Sequence, residues 1–268
     1  MRLKSIGIVG VGHMGSAIVR GVLRKKVFNP SDIWIYDVDF KKAERLAREL
    51  KVKWAKHPKE IAVRTDLILL AVKPQNLPET AISLKAHFRK DPSVITILAG
   101  VSMGTVKKHF SQKASVVRAM PNLGATVGES FTALTGDRAL LPVARRIFES
   151  CGEVLILPES RFHAITALSG SGPAYYFFLM ELAMIEAKRW GLSEEQAILL
   201  AKQTAKGAAL LATHSPHKPS ELRGEVTSKG GTTEAALKVL IKKRFPQIFS
   251  QAIMAAVKQG EKLGKAVS

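Results

Sequence analysis

The stretch Ser5-Ile-Gly-Ile-Val9-Gly10-Val-Gly12-His-Met-Gly15 decides how this chain folds. Its first five residues read as a short β run, and helix-forming sequence follows to about Lys25. Three glycines spaced this way between a strand and a helix make a dinucleotide-binding turn. Gly10 permits the tight turn, Gly12 lets the backbone approach a pyrophosphate, and Gly15 lets helix and strand pack closely. The helix N-terminus then offers N–H groups and a partial positive charge to the phosphates. His13 either donates to the same pyrophosphate or simply fills the turn. Asp37 lies 22 residues beyond Gly15 and ends the next strand, Ile33–Tyr36. A carboxylate there accepts hydrogen bonds from a ribose hydroxyl and favours NADH. Lys41 and Lys42 follow closely; they pair with a 2′-phosphate or sit on a solvated helix start, so NADH and NADPH both stay open.

Outward from this unit, strands and helices alternate. Lys41–Leu50 is a helix with Ala43, Leu46, Ala47 and Leu50 on one face. Leu67–Val72 reads as a strand buried on both faces, as parallel strands are. Val94–Leu98, Ser115–Ala119 and Phe131–Leu134 add further strands. The alternation predicts a doubly wound parallel α/β domain of the Rossmann type over residues 1–157. Beyond Pro158 the texture becomes helical: Tyr175–Trp190, Ser193–Thr213, Thr232–Lys243 and Pro246–Leu263, broken at Gly191, Pro216, Pro219 and Gly230-Gly231. Ser193-Glu-Glu-Gln196 has the form of a capping box. Residues 158–268 are therefore expected to form an all-α domain. Its apolar residues, Leu182, Ile185, Ile198, Leu199, Leu210 and Leu211 among them, exceed what four short helices bury alone, which predicts a homo-oligomer.

The 268 residues are 46% hydrophobic, with a mean hydropathy near zero, as in a globular protein with a sizeable core. Apolar stretches such as Tyr175–Ile185 are too short or interrupted to span a bilayer, so no membrane is expected. The basic start runs into glycines rather than a leader-like apolar core, and the single Cys151 fits a reducing cytoplasm. Against 22 acidic residues stand 41 Lys+Arg, a formal charge of +19. These cations are scattered in short groups such as Lys107-Lys108 and Lys242-Lys243-Arg244, without an aromatic platform for bases. Nucleic acid is not the expected partner; the field suits an anionic cofactor and substrate. The seven histidines have no metal-ligand spacing, so no metal is expected.

Further motifs follow in order: Ala71-Val72-Lys73-Pro74, Ala99-Gly100-Val101, Arg118-Ala-Met-Pro121-Asn122, Ala167-Leu-Ser169-Gly170-Ser-Gly172-Pro173-Ala-Tyr175 and Gly230-Gly231-Thr232-Thr233. With Gly10-x-Gly12-x-Met14-Gly15, the set resembles the pyrroline-5-carboxylate reductase family over nearly the whole chain. On the residues alone, Ala71–Pro74, Ala99-Gly100 and Pro121-Asn122 end strands on one sheet edge, as ligand contacts or as plain turns. Ser169–Pro173 reads as a small-residue turn leading into a helix from Ala174, by itself no different from a helix cap. Gly230-Gly231 offers N–H groups to an anion, and Thr232 or Thr233 serves as an N-cap on spacing alone.

The resemblance implies more. Met14, Ala71–Pro74, Ala99, Gly100, Pro121 and Asn122 then contact NADPH or NADH, and Ser169 lies near the nicotinamide. Gly230, Gly231 and Thr232 receive the carboxylate of a small cyclic imine. Thr233 bonds the ring nitrogen and helps supply its proton while hydride reaches the imine carbon, making proline from 1-pyrroline-5-carboxylate. A homodimer, or a larger assembly of dimers, is implied as well. Two departures concern the substrate loops: Leu123-Gly124 stands where the family has Thr-Pro, and Lys229 stands where it has Pro. They leave room for a different cyclic imine or for a nucleotide-binding regulator without turnover. A β-hydroxyacid dehydrogenase is a further rival. It needs a lysine two turns into the long helix, and the first lysine after Gly172 is Lys188.

Overall fold

The computed structural model describes residues 3–88 and 90–265. They divide into two compact units, one running to Gly172 and resuming at Ala255, the other spanning Pro173–Met254.

The first unit is built on an eight-stranded sheet: β1 (Ile6–Val9), β2 (Ile33–Tyr36), β3 (Lys53–Trp54), β4 (Leu67–Leu70), β5 (Ser93–Thr96), β6 (Ser115–Met120), β7 (Ser130–Gly136) and β8 (Gly152–Ile156). Their order is β3-β2-β1-β4-β5-β6-β7-β8, so the winding reverses between β1 and β4. Helices α1 (His13–Arg24), α2 (Phe40–Leu50), α3 (Pro58–Arg64), α4 (Leu77–Lys85), α5 (Met103–His109) and α6 (Leu141–Glu149) join the strands. In β4, Leu67 and Leu69 pack into one apolar layer and Ile68 and Leu70 into the other. That double burial explains the unbroken apolar run, because each face of a parallel strand meets its own layer of helices. Each such side chain contributes about 1.5–3 kcal/mol through removal from water.

The sheet departs from the all-parallel expectation at one strand. β7 runs antiparallel to β6, while β7 and β8 are parallel. Between Met120 and Ser130 the chain is too short for the dozen or more residues of a crossover, so it folds straight back. Arg118 on β6 is buried. Its Nη1 donates to Glu159 Oε1 at 3.1 Å, and its guanidinium lies 4.8 Å from the centre of the Phe162 ring. Burial pushes the Arg118 pKa down, opposed by Glu159.

Ser169–Pro173 differs from its reading as a turn. Helix α7 (Phe162–Ile165) runs on into a π-helical turn over Thr166–Gly170, where the Ser171 N–H donates back to the Thr166 carbonyl. Helix α8 (Gly172–Arg189) follows directly. Its approach is thus already helical, and the Ser171 N–H is committed inside the fold rather than held out to a ligand.

The second unit is helical: most of α8, then α9 (Glu194–His214), α10 (Pro219–Glu225), α11 (Thr232–Lys242) and α12 (Phe245–Lys265) as far as Met254. The capping box forms, with Gln196 N donating to Ser193 Oγ and Ser193 N to Gln196 Oε1. Buried hydrophobics in this unit are small, Ala187, Ala197 and Ala201, whereas Leu199, Leu211 and Ile241 are 68%, 65% and 64% exposed. Among the described residues, no helix is long and apolar enough to cross a membrane.

Candidate functional site

At the winding reversal, the ends of β1, β2 and β4 and the start of α4 enclose a cleft of about 420 Å³. Gly10, Gly12, Asp37, Ala71, Val72 and Lys73 line it, so six of the sequence-selected residues meet in one place. This crevice beyond the carboxyl ends of the strands is where open α/β sheets bind ligands.

The turn is held from several sides. Gly10 adopts φ +97°, and a Cβ there would stand 2.6 Å from the Ala71 carbonyl oxygen. Its N–H donates to the Tyr36 carbonyl at 2.7 Å. A Cβ on Gly15 would stand 2.0 Å from the Gly10 carbonyl oxygen, so the absence of a side chain is what lets α1 close onto the turn. Around Gly12 an added Cβ meets no heavy atom within 4 Å. Gly12 is the N-cap of α1; no side chain caps that end, and its first turn holds no acidic residue. The N-terminus of α1 therefore has donors and positive potential beside a clear approach, which fits a pyrophosphate. Met14 is half-buried against the core, and His13 is exposed as the first residue of α1.

The Asp37 carboxylate accepts from the Val11 N–H at 2.8 Å and from the Asp39 N–H at 3.1 Å, one bond to each oxygen. It thus ties β2 to the glycine turn. Tyr36, Lys42, Asn76, Glu79, Thr80 and Ser83 also line the cleft. Burial raises the Tyr36 phenol pKa first, with the negative charges of Asp37 and Glu79 adding to the rise. The residues from α4 escaped the sequence reading because that helix was not assigned. Leu77, Ala81 and Leu84 are its buried face, and their spacing after Pro74 was the available signal.

Two other strand ends lie on the same edge. Pro74 opens a single 3₁₀ turn just outside β4. Gly100 is buried, and a Cβ on it would stand 2.9 Å from the backbone nitrogen of Gly264 on α12. Its small size admits that helix; Ala99 beside it is half-buried. After β6 and Pro121, Asn122 Oδ1 accepts from the Gly124 N–H at 3.0 Å, while its Nδ2 donates to Ser169 Oγ at 3.0 Å. Asn122 and Ser169, far apart in sequence, are thereby brought together. Gly124 has a structural reason here: a Cβ would stand 2.4 Å from the Glu129 carbonyl oxygen, and a proline would lack the N–H that Asn122 receives.

In the second unit, Gly231 is the N-cap of α11, which makes Thr232 and Thr233 the first two helical residues and neither of them the cap. Thr232 is exposed and Thr233 half-buried. The Gly230 N–H donates to Glu234 Oε2 at 2.9 Å and the Gly231 N–H to the Ser228 carbonyl at 3.0 Å. The anion-binding donors read from the sequence are thus engaged within the chain. The bond from Gly230 lowers the Glu234 pKa, and Lys238, with Nζ at 3.1 Å, lowers it further. Lys229 is exposed in the preceding turn. Lys188, in the last turn of α8, pairs with Glu194 instead of lying two turns into the helix.

Two family models match the chain: "NADP oxidoreductase coenzyme F420-dependent" over residues 5–100 and "Pyrroline-5-carboxylate reductase dimerisation" over residues 159–263. Pyrroline-5-carboxylate reductase from Synechocystis is 36% identical, covering 97% of this chain and 98% of that protein. Pyrroline-5-carboxylate reductase 2 of Bacillus subtilis is 34% identical over 97% of this chain and 95% of its own length. Among solved structures, Plasmodium falciparum pyrroline carboxylate reductase with NADP bound superposes with a TM-score of 0.86 at 26% identity, covering 97% of this chain and 98% of that one.

Proposed function

The chain belongs to the pyrroline-5-carboxylate reductase family, and from that membership we propose that it reduces 1-pyrroline-5-carboxylate to L-proline with NADPH or NADH, the last step of proline biosynthesis. The observation that carries this reading is likeness along almost the full chain, rather than along the nucleotide-binding part alone.

When bound, the reduced nicotinamide supplies hydride to the carbon of the ring C=N bond. The glycine turn and Asp37 hold the dinucleotide, with Ala71–Pro74, Ala99, Gly100, Pro121 and Asn122 along the strand ends. Ser169, oriented by Asn122, would meet the nicotinamide end of the dinucleotide. Thr233 bonds the ring nitrogen, orients the C=N bond and helps deliver the proton that completes the secondary amine. Gly230, Gly231 and Thr232 take the substrate carboxylate. For the Gly230 and Gly231 N–H groups to serve it, Glu234 and the Ser228 carbonyl have to release them, and Lys238 remains available to pair with the freed Glu234 carboxylate.

The functional division proposed is residues 1–157 for the dinucleotide and 158–268 for substrate and dimerisation. The exposed apolar helices of the second unit and the dimerisation family model over residues 159–263 both support a homodimer, with larger assemblies built on it. Light scattering is expected to give a mass of at least twice the 29.2 kDa chain; a 29.2 kDa particle at micromolar concentration overturns the dimer. A reducing cytoplasm is the proposed location, where Cys151 remains the buried free thiol it is in this fold.

The activity is tested by cofactor oxidation at 340 nm. NADH or NADPH is expected to be oxidised with pyrroline-5-carboxylate, and NAD⁺ or NADP⁺ is expected to stay unreduced with β-hydroxy acids. Turnover only with a six-membered cyclic imine would reassign the substrate, and none with any imine would favour a regulator.

A further inference from the structure

The cleft carries a feature that bears on which dinucleotide enters it. Asp37 does not hang freely at the end of β2. Its two oxygens are pinned by the Val11 and Asp39 N–H groups, so the carboxylate is preset in position. A carboxylate oxygen has a second lone pair, so each oxygen keeps accepting capacity for a hydroxyl. Two residues on, Asp39 caps α2 and accepts from the Lys42 N–H at 3.2 Å. One of the helix N-terminal donors that would receive a phosphate at this end of the cleft is thus occupied by the chain's own carboxylate. Glu79 lines the cleft as a further acid, so Asp37 and Glu79 together place two carboxylates in its lining.

Cations are present too. Lys42 and Lys73 line the cleft, whereas Lys41 is exposed and is not part of the lining. Lys42 and Lys73 carry their charge on long flexible stems, while the Asp37 charge is fixed by backbone at the strand end where the ribose is read. A hydroxyl donates to that carboxylate; a 2′-phosphate dianion can only repel it.

We propose that this chain is selective for NADH over NADPH, with Asp37 as the residue that binds the adenosine ribose and rejects the 2′-phosphate; this rests on the dinucleotide cleft assigned above. Adding like charge at such short range disfavours NADPH by about tenfold or more. The bound NADP named for the Plasmodium protein belongs to that protein; the preference of this chain is set by the acidic end of its own β2.

Fluorescence titration of the full-length protein with NADH and with NADPH, without substrate, reads the preference directly as a ratio of Kd values. NADH is expected to bind about tenfold or more tightly. Asp37→Asn keeps one acceptor for the Val11 N–H, gives up the bond from the Asp39 N–H and removes the charge, so NADPH should gain affinity while NADH loses some, and the ratio should collapse toward one. Circular dichroism of the variant checks that it is folded. Equal or tighter binding of NADPH by the unmodified protein overturns the selectivity and leaves the cleft standing. Failure of both dinucleotides to bind overturns the cleft and the selectivity together. A ratio unchanged in folded Asp37→Asn removes Asp37 from the role.

Discussion

Gly12→Val is expected to bind NADH at least about 100-fold more weakly than the unmodified protein, while staying folded and losing no more than about 1 kcal/mol as a poorer N-cap. The two halves of this result have separate causes. Gly12 has φ −63° and ψ −166°, extended backbone that valine adopts without strain, and an added Cβ meets nothing within 4 Å. The ligand-free fold therefore accepts the side chain. The space it fills is the approach to the uncapped N-terminus of α1. Charge-assisted hydrogen bonds there are worth about 1.5–3 kcal/mol each, so losing two costs about 3–6 kcal/mol, or more than about 100-fold in Kd. Gly15→Ala gives the contrast. Its Cβ would collide with the Gly10 carbonyl oxygen, so it should lose stability by about 1–3 kcal/mol. Normal titration of Gly12→Val with NADH would show that the phosphates sit elsewhere.

This contrast also marks what sequence could reveal. Glycine spacing and the strand before it located the turn, and apolar runs such as Leu67–Leu70 located the sheet, because local periodicity reports directly on burial. Partners made only by folding were out of reach. That Asp37 holds Val11, that Asn122 holds Ser169, and that Gly100 lies under Gly264 are long-range facts with no local signature. The reading of Ser169–Pro173 as a turn missed the π-helical Thr166–Gly170 that overlaps it, for a related reason. Its small residues resemble a loop in composition, yet the turn is held by the bond from Ser171 back to Thr166. The two-residue β3 offered too little pattern to be seen at all, and the antiparallel β7 is dictated by the length of its connection rather than by its own residues. At Gly230-Gly231 the sequence offers two backbone donors, but their occupation by Glu234 and Ser228 has no local signature.

Thr233→Ala is expected to lower kcat by at least about tenfold and to leave the NADH Kd unchanged, as loss of a hydrogen bond made to the reacting ring would do. The placement of Thr233 makes the measurement clean. The cap of α11 is Gly231, so removing the hydroxyl takes no cap away, and stability should stay within about 0.5 kcal/mol. Thr233→Val keeps the branched shape without the hydroxyl and should match the alanine variant in kcat. Thr233→Ser keeps the hydroxyl and should retain most of the rate. A pattern that follows side-chain volume instead, with valine active and serine impaired, would assign Thr233 to packing. An alanine variant as fast as the unmodified enzyme would leave it an ordinary residue of the first helical turn, and the proton and the orientation of the imine would have to come from elsewhere.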